Sequence, residues 1–147
     1  MLTIQLKGDL FMQKTLSLIF GVVFLVIGVA GFISALAPAN ENGQMLLGIF
    51  QINTMQSVIH LLTAAVAFIA YFAGGYYAKQ YFKVFGVVYL AVALWGLPGL
   101  MQTYNGVLFG LIHVNLATEL LHIVIAAVSL YAGFMGAKSN SVTESEE

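Results

Sequence analysis

The chain has no cysteine, no arginine and very little charge of any kind. Without cysteine, disulfides, thiolate catalysis and iron–sulfur clusters are excluded, and the redox compartment is left unmarked. Charged residues make up only 7% of the 147 residues, against about 25% in an average soluble domain. So few charges cannot clothe the surface of a water-soluble fold of this size. The net charge is −1, so there is no basic footprint for a nucleic acid. No Ser-His-Asp set, phosphate-binding loop or other nucleophile arrangement is present, which leaves an enzyme unsupported.

What is there is apolar. Hydrophobic residues reach 61% and the mean hydropathy is +0.95. A membrane-crossing helix takes roughly 20 residues, and four runs are long enough, at about 16–36, 53–77, 81–100 and 115–136. Glycine is frequent inside them, as in membrane helices generally. The expectation is an all-α, integral membrane four-helix bundle embedded in the lipid bilayer. Residues 1–15 form an N-terminal cytoplasmic segment, 16–136 the transmembrane domain, and 137–147 a disordered, acidic cytoplasmic tail. The first run follows Lys14 and ends on an A-x-A-like Ala35–Ala37. It exceeds the about 7–15 residues of a signal peptide's apolar region, so it is read as a retained helix. Translation starting at Met1 and at Met12 are both compatible with this reading.

The five lysines fix an orientation. Lys7 and Lys14 precede the first run, Lys79 and Lys83 lie between the second and third, and Lys138 follows the fourth. The links 37–52 and 99–114 contain none. With four crossings all the lysines fall on one face, and the positive-inside rule places that face, with both termini, in the cytoplasm. Tyr76, Tyr77, Tyr81 and Phe82 read as an aromatic belt there, with Trp95 and Tyr104 near the opposite face.

The sequence also repeats itself. "FGVVFL" (Phe20–Leu25) returns as "FGVVYL" (Phe85–Leu90), an offset of 65, which aligns Gly21 with Gly86 and Gly31 with Gly96. "LLGIFQIN" (Leu46–Asn53) returns as "LFGLIHVN" (Leu108–Asn115), an offset of 62, and the match continues to His60 and His122. The expected unit is therefore a duplicated helix pair. Two crossings per unit make the halves parallel, related by an axis along the membrane normal. Gly21, Gly28 and Ala35 recur every seven residues, a stripe that lets helix backbones approach in lipid.

Asn53 and His60, and their copies Asn115 and His122, are the polar residues that stand out. Asn53 and Asn115 fall at the non-cytoplasmic starts of the second and fourth helices, where Asn is a favoured N-cap. The stretches before them, "MLLGIF" and "VLFGLI", read either as interfacial turns or as an early first helical turn. Seven residues onward is about 10 Å of rise and nearly two turns, so each His shares a face with its Asn and lies below the interface. Such groups must be satisfied by another helix, a water cavity or a ligand. His60 and His122 then face each other across the bundle. Glu119 is the only acidic residue in the four spans, on the face of His122, and its counterpart is Ser57. Interhelical hydrogen bonding is the plainest role for this cluster, in a non-enzymatic structural or interaction bundle whose partner is another copy or a membrane protein. No cofactor is required. The alternatives are bis-His haem ligation through His60 and His122, a metal held by His60, His122 and Glu119 with water or His113 as fourth ligand, and a proton-sensitive site. The Glu119-x-x-His122 spacing also occurs in di-iron bundles, but those need about four carboxylates. Only Thr63 and Ser129 continue the polar line inward, which favours a one-sided site over a channel.

The series "GVVFLVIGVAGFI", "LLGIFQIN…IHLL", "GVVYLAVALWGL" and "LFGLIHVN…LLHIV" resembles a group of small four-helix bacterial membrane proteins catalogued as a domain of unknown function. The resemblance covers roughly 16–136, and the paired Asn…His motifs are its most specific part. It implies four helices and a bacterial cytoplasmic (inner) membrane location. Members often carry an acidic residue between Asn and His. Here the second copy has Glu119, and the first has Gln56 and Ser57. The resemblance implies no activity.

Overall fold

A computed structural model of the chain describes residues 2–102, 106–108 and 112–134, with side chains placed for 8–96 and 112–134. Tyr104, Lys138 and the acidic tail lie outside the described residues. The elements in order are α1 (Leu2–Ala30), β1 (Ala39–Asn40), β2 (Gly43–Leu46), β3 (Phe50–Ile52), α2 (Thr54–Ala73), α3 (Gly75–Gln102), β4 (Gly106–Leu108), β5 (Ile112–Val114) and α4 (Leu116–Phe134). The fold is mostly helical. Among the described residues three stretches, Gly8–Ala30, α2 and α4, are long and apolar enough to cross a membrane, as expected of a membrane protein. The start of α3 is more polar, carrying Lys79, Gln80 and Lys83 in its first turns.

Two features differ from the sequence expectation. First, α1 begins well before residue 16 and stops at Ala30 rather than 36. Its end is drawn into a turn in which Phe32 and Ile33 donate to the carbonyls three residues back. Gly31 there packs directly on Ser57 of α2, and Pro38 cannot extend a helix, having no N–H to donate. Second, the links expected as interfacial turns or helical first turns contain strands. β1, β2 and β3 form an antiparallel sheet, with Gln44 opposite Ile52 and Leu46 opposite Phe50. β4 and β5 form an antiparallel hairpin with Gly106 opposite Val114. The β2–β3 turn places Leu47 and Gly48 both at positive φ (53° and 71°), in a loop of Leu47, Gly48 and Ile49 between the paired Leu46 and Phe50.

Helix packing follows a division of labour. Within the α1–α2 and α3–α4 pairs, the closest approaches are through glycine. Gly21 meets Phe68, Gly28 meets Leu61, and Gly86 meets Leu130. A side chain at Gly28 or Gly86 would press on the backbone of the facing helix, which in lipid disturbs the packing that drives association, and one at Gly21 would press on the Phe68 ring. Between the pairs, α1 meets α3 along an aromatic seam. Phe20 sits edge-on to Phe82 at 5.1 Å and Phe24 edge-on to Phe85 at 5.4 Å, while Tyr81 stacks on Phe85 at 5.0 Å. The α2–α3 link is the single residue Gly74, at φ 114° and ψ 173°, a conformation essentially reserved for glycine. It turns the chain so sharply that α3 starts at Gly75, against the backbone of Leu10.

Candidate functional site

A group of polar residues gathers at the end that carries the strands, away from Lys14, Lys79 and Lys83. Asn53 is the N-cap of α2. Its side-chain oxygen accepts from the Gln56 N–H at 2.9 Å, and the Gln56 side chain accepts from the Asn53 N–H at 3.1 Å. This reciprocal capping box satisfies two backbone donors that a helix start leaves unpaired. Asn115 does the same work for α4, accepting from the Thr118 N–H at 2.9 Å. A cap of this kind contributes about 1 kcal/mol.

Both asparagines also reach across to the other half of the chain. The Asn53 amide nitrogen lies 3.4 Å from Nδ1 of His113, beside β4 in β5. The Asn115 amide donates to the Ile49 carbonyl at 2.8 Å, and the Thr118 hydroxyl donates to the Gln51 carbonyl at 3.0 Å. Gln51 itself is buried and ties its side chain to Asn40 and to the Asn42 carbonyl. Each hairpin is thereby latched to the helix start of the opposite pair.

One to two turns below the caps lie the histidines. His60 packs against Phe24 with ring centroids 5.4 Å apart, and His122 against Tyr89 at 5.5 Å. Phe24 and Tyr89 touch each other at 6.0 Å. The four rings thus form a chain from His60 through Phe24 and Tyr89 to His122. Each histidine leans on an aromatic ring of its own helix pair. His122 is buried, and its Nδ1 lies 3.4 Å from Oε2 of Glu119, a carboxyl with no exposure at all. The second oxygen, Oε1, has no hydrogen-bond partner among the described residues. Glu119 fits at that depth because Gly96 of α3 abuts the carboxyl directly. In the other pair, Gly31 abuts Ser57, whose hydroxyl donates to the Asn53 carbonyl at 3.2 Å.

Asn53 and Asn115 are placed as caps, and His122 is brought to Glu119. The larger ligand set is not assembled. Among the described residues no three His, Asp or Glu side chains stand together as metal ligands would. His113, the fourth ligand of that reading, is held at Asn53 in the cap, about 10 Å of helical rise from the level of His60. His60 makes no hydrogen bond to a described residue and is only partly buried.

Several residues were not singled out from the sequence. Gln51 and Thr118 carry the latches, and neither type nor spacing marks them. Phe24 and Tyr89 were in view, as the one position at which the repeated "FGVVFL" and "FGVVYL" differ. Gln13 and Ser17 of α1 are fully buried and donate to the carbonyls of Ala132 and Ala67, at 3.0 and 2.7 Å. Gln13 lies in the stretch where the lysines and mixed composition obscure the helix, and Ser17 lies just inside the first apolar run.

Compared with known proteins, residues 14–135 match a family model described as a domain of unknown function (DUF4383). Neither a curated protein nor a solved structure matches the chain.

Proposed function

We propose a role for this chain, which belongs to the family of that description, from its geometry: it is a non-enzymatic, four-span membrane bundle made of a duplicated helix pair, whose polar residues lock the two pairs together at the non-cytoplasmic end. Such a rigid bundle serves as an interaction module for another copy or a different membrane protein in the bacterial cytoplasmic membrane, with both termini and the α2–α3 turn in the cytoplasm.

The observation that carries this reading is the recurrence of whole contacts under the two sequence offsets. Gly31 on Ser57 corresponds to Gly96 on Glu119, Gly21 on Phe68 to Gly86 on Leu130, and Phe24 on His60 to Tyr89 on His122. Apolar residues match by chance easily, but paired contacts across two helices do not. The asparagines add the locking role, since each spends its oxygen on its own helix and its amide on the other half. Interhelical hydrogen bonds in membranes contribute about 0.6 kcal/mol on average. Several together hold the pairs in register.

Purified wild type, His60→Ala and His122→Ala compared by absorbance, metal content and stability test the role. The bundle reading expects no stoichiometric metal or haem band and a loss of stability in His122→Ala. A Soret band or a metal lost in either variant would replace it with a cofactor-binding protein.

A second reading, a proton-sensitive bundle, is favoured by one observation. The Glu119 carboxyl and the His122 ring are paired at 3.4 Å in the interior, and Glu119 Oε1 has no hydrogen-bond partner among the described residues. Tyr89 of α3 and His60 of α2 are the other titratable groups near His122. Unfolding stability followed as a function of pH should vary in wild type and flatten in Glu119→Gln. A flat wild-type profile rejects this reading.

A further inference from the structure

Each hairpin is latched to the helix start of the opposite pair, but the two latches differ in chemistry. At the start of α4 both acceptors are backbone carbonyls. The Asn115 amide donates to Ile49 and the Thr118 hydroxyl to Gln51. At the start of α2 the acceptor is a side chain, Nδ1 of His113 in β5, 3.4 Å from the Asn53 amide nitrogen. A backbone carbonyl accepts at any ordinary pH, whereas a ring nitrogen accepts only while it carries no proton.

The capping box fixes the direction of this contact. The Asn53 side-chain oxygen is taken by the Gln56 N–H at 2.9 Å. The group turned to His113 is therefore the amide NH2, which can only donate. His113 must then present a bare Nδ1, which puts the single proton of the neutral ring on Nε2. A second proton would go to Nδ1 itself. It would make the acceptor a donor, set two N–H groups against each other and end the bond. Under the offset of 62, His113 stands where the first copy has Gln51, an amide that does not titrate.

The surroundings offer the protonated ring no replacement partner. His113 is half-buried. Strands β3 and β4, which pack on β5, carry no titratable side chain. On α2 the next titratable group is His60, which leans on Phe24 well below the cap. On α4 they are Glu119 and His122, which pair with each other. Glu41 lies in the β1–β2 turn, on the side of the three-stranded sheet away from β3. Among the described residues no carboxylate pairs with His113.

We propose that His113 is an acid-sensitive latch: protonation at Nδ1 releases the β4–β5 hairpin from the α2 N-cap, while the Asn115 and Thr118 latch stays closed. Acid thus loosens one side of the polar cap and not the other. The device is separate from the Glu119–His122 pair. That it senses the non-cytoplasmic side rests on the four-span reading above; the bond chemistry does not.

The test uses the full chain in detergent micelles with isotope-labelled histidine rings, followed by nitrogen NMR as the pH is lowered. The His113 signal is the one lost in His113→Gln. At alkaline pH it should show the Nε2–H tautomer. Hydrogen exchange of the Ile112–Val114 amides is measured in parallel, relative to the β2 amides at the same pH. That ratio should rise about fivefold as the ring gains its second proton, the scale of one intramolecular hydrogen bond. His113→Gln can still accept from Asn53 through its side-chain oxygen, so its ratio should stay constant. Asn53→Asp keeps an N-cap and gives the protonated ring a carboxylate to donate to, so acid should lower its ratio. Labelling of Glu41→Cys from the cytoplasmic side alone would refute the orientation and not the latch. The latch itself is overturned by an Nδ1–H tautomer at alkaline pH, or by a ring that gains no second proton before the chain unfolds. A wild-type ratio unmoved by that proton, or an equal acid response in His113→Gln, overturns it as well.

Discussion

A methyl group at Gly96 would collide with the Glu119 carboxyl, and one at Gly31 would collide with the Ser57 hydroxyl. The expected outcome is specific to the pair. Gly96→Ala should cost about 1–3 kcal/mol, the usual scale of overpacking, and clearly less when Glu119→Ala is already present. An unfolding cycle of the two single variants and the double variant in detergent measures the coupling. Additive losses would mean that Gly96 serves some purpose other than making room for Glu119. At this scale the sequence was informative where chemistry leaves few options. Asn53 and Asn115 could be assigned as caps because an Asn at the edge of an apolar run has one common use. Glu119 stood out because carboxyls in membrane spans are rare. The contact partners were another matter. Nothing in a glycine's own position says that it faces a carboxyl on another helix. Gln51 and Thr118 act through a backbone carbonyl and a backbone-bound hydroxyl, which no residue pattern marks.

Between elements, the sharpest constraint is Gly74. Its φ of 114° and ψ of 173° lie where side chains are strained, and with one residue between helices there is no slack to absorb a change. Gly74→Ala should therefore lower stability by roughly 1–3 kcal/mol. Its Cα has open space around it, so the loss comes from backbone conformation and not from a clash. A thermal aggregation series in detergent checks this, and an unchanged midpoint would mean that the turn relaxes without cost. The helices were readable because hydrophobic runs of this length have few other uses. Their ends were less so. α1 extends through Lys7 and Lys14, which hydropathy counts against a span but helix geometry tolerates. The strands were missed for a clear reason. "MLLGIF" is continuously apolar, so it shows no period of two. Its turn is built on Leu47 and Gly48, not on the Asn-Gly or Asp-Gly pair that marks a type I′ hairpin.

At the scale of the whole molecule, glycine contacts hold each helix pair, aromatic rings join the pairs, and a polar cap latches one pair to the other at the end opposite the lysines. This distribution explains how the chain manages with so few charges: its polar groups are placed where backbone donors and acceptors need them. The account depends on α3 crossing the membrane together with the three stretches that are long and apolar enough to do so, although its first turns carry two lysines. The native chain has no cysteine, so single-cysteine reporters give an unambiguous answer. Glu41→Cys, Lys79→Cys and Ser139→Cys can each be labelled with a membrane-impermeant maleimide before and after permeabilisation of intact cells. The four-span account predicts that Glu41→Cys reacts from outside and that Lys79→Cys and Ser139→Cys react only after permeabilisation. Labelling of Lys79→Cys and Ser139→Cys from opposite sides, as three crossings would give, would contradict it.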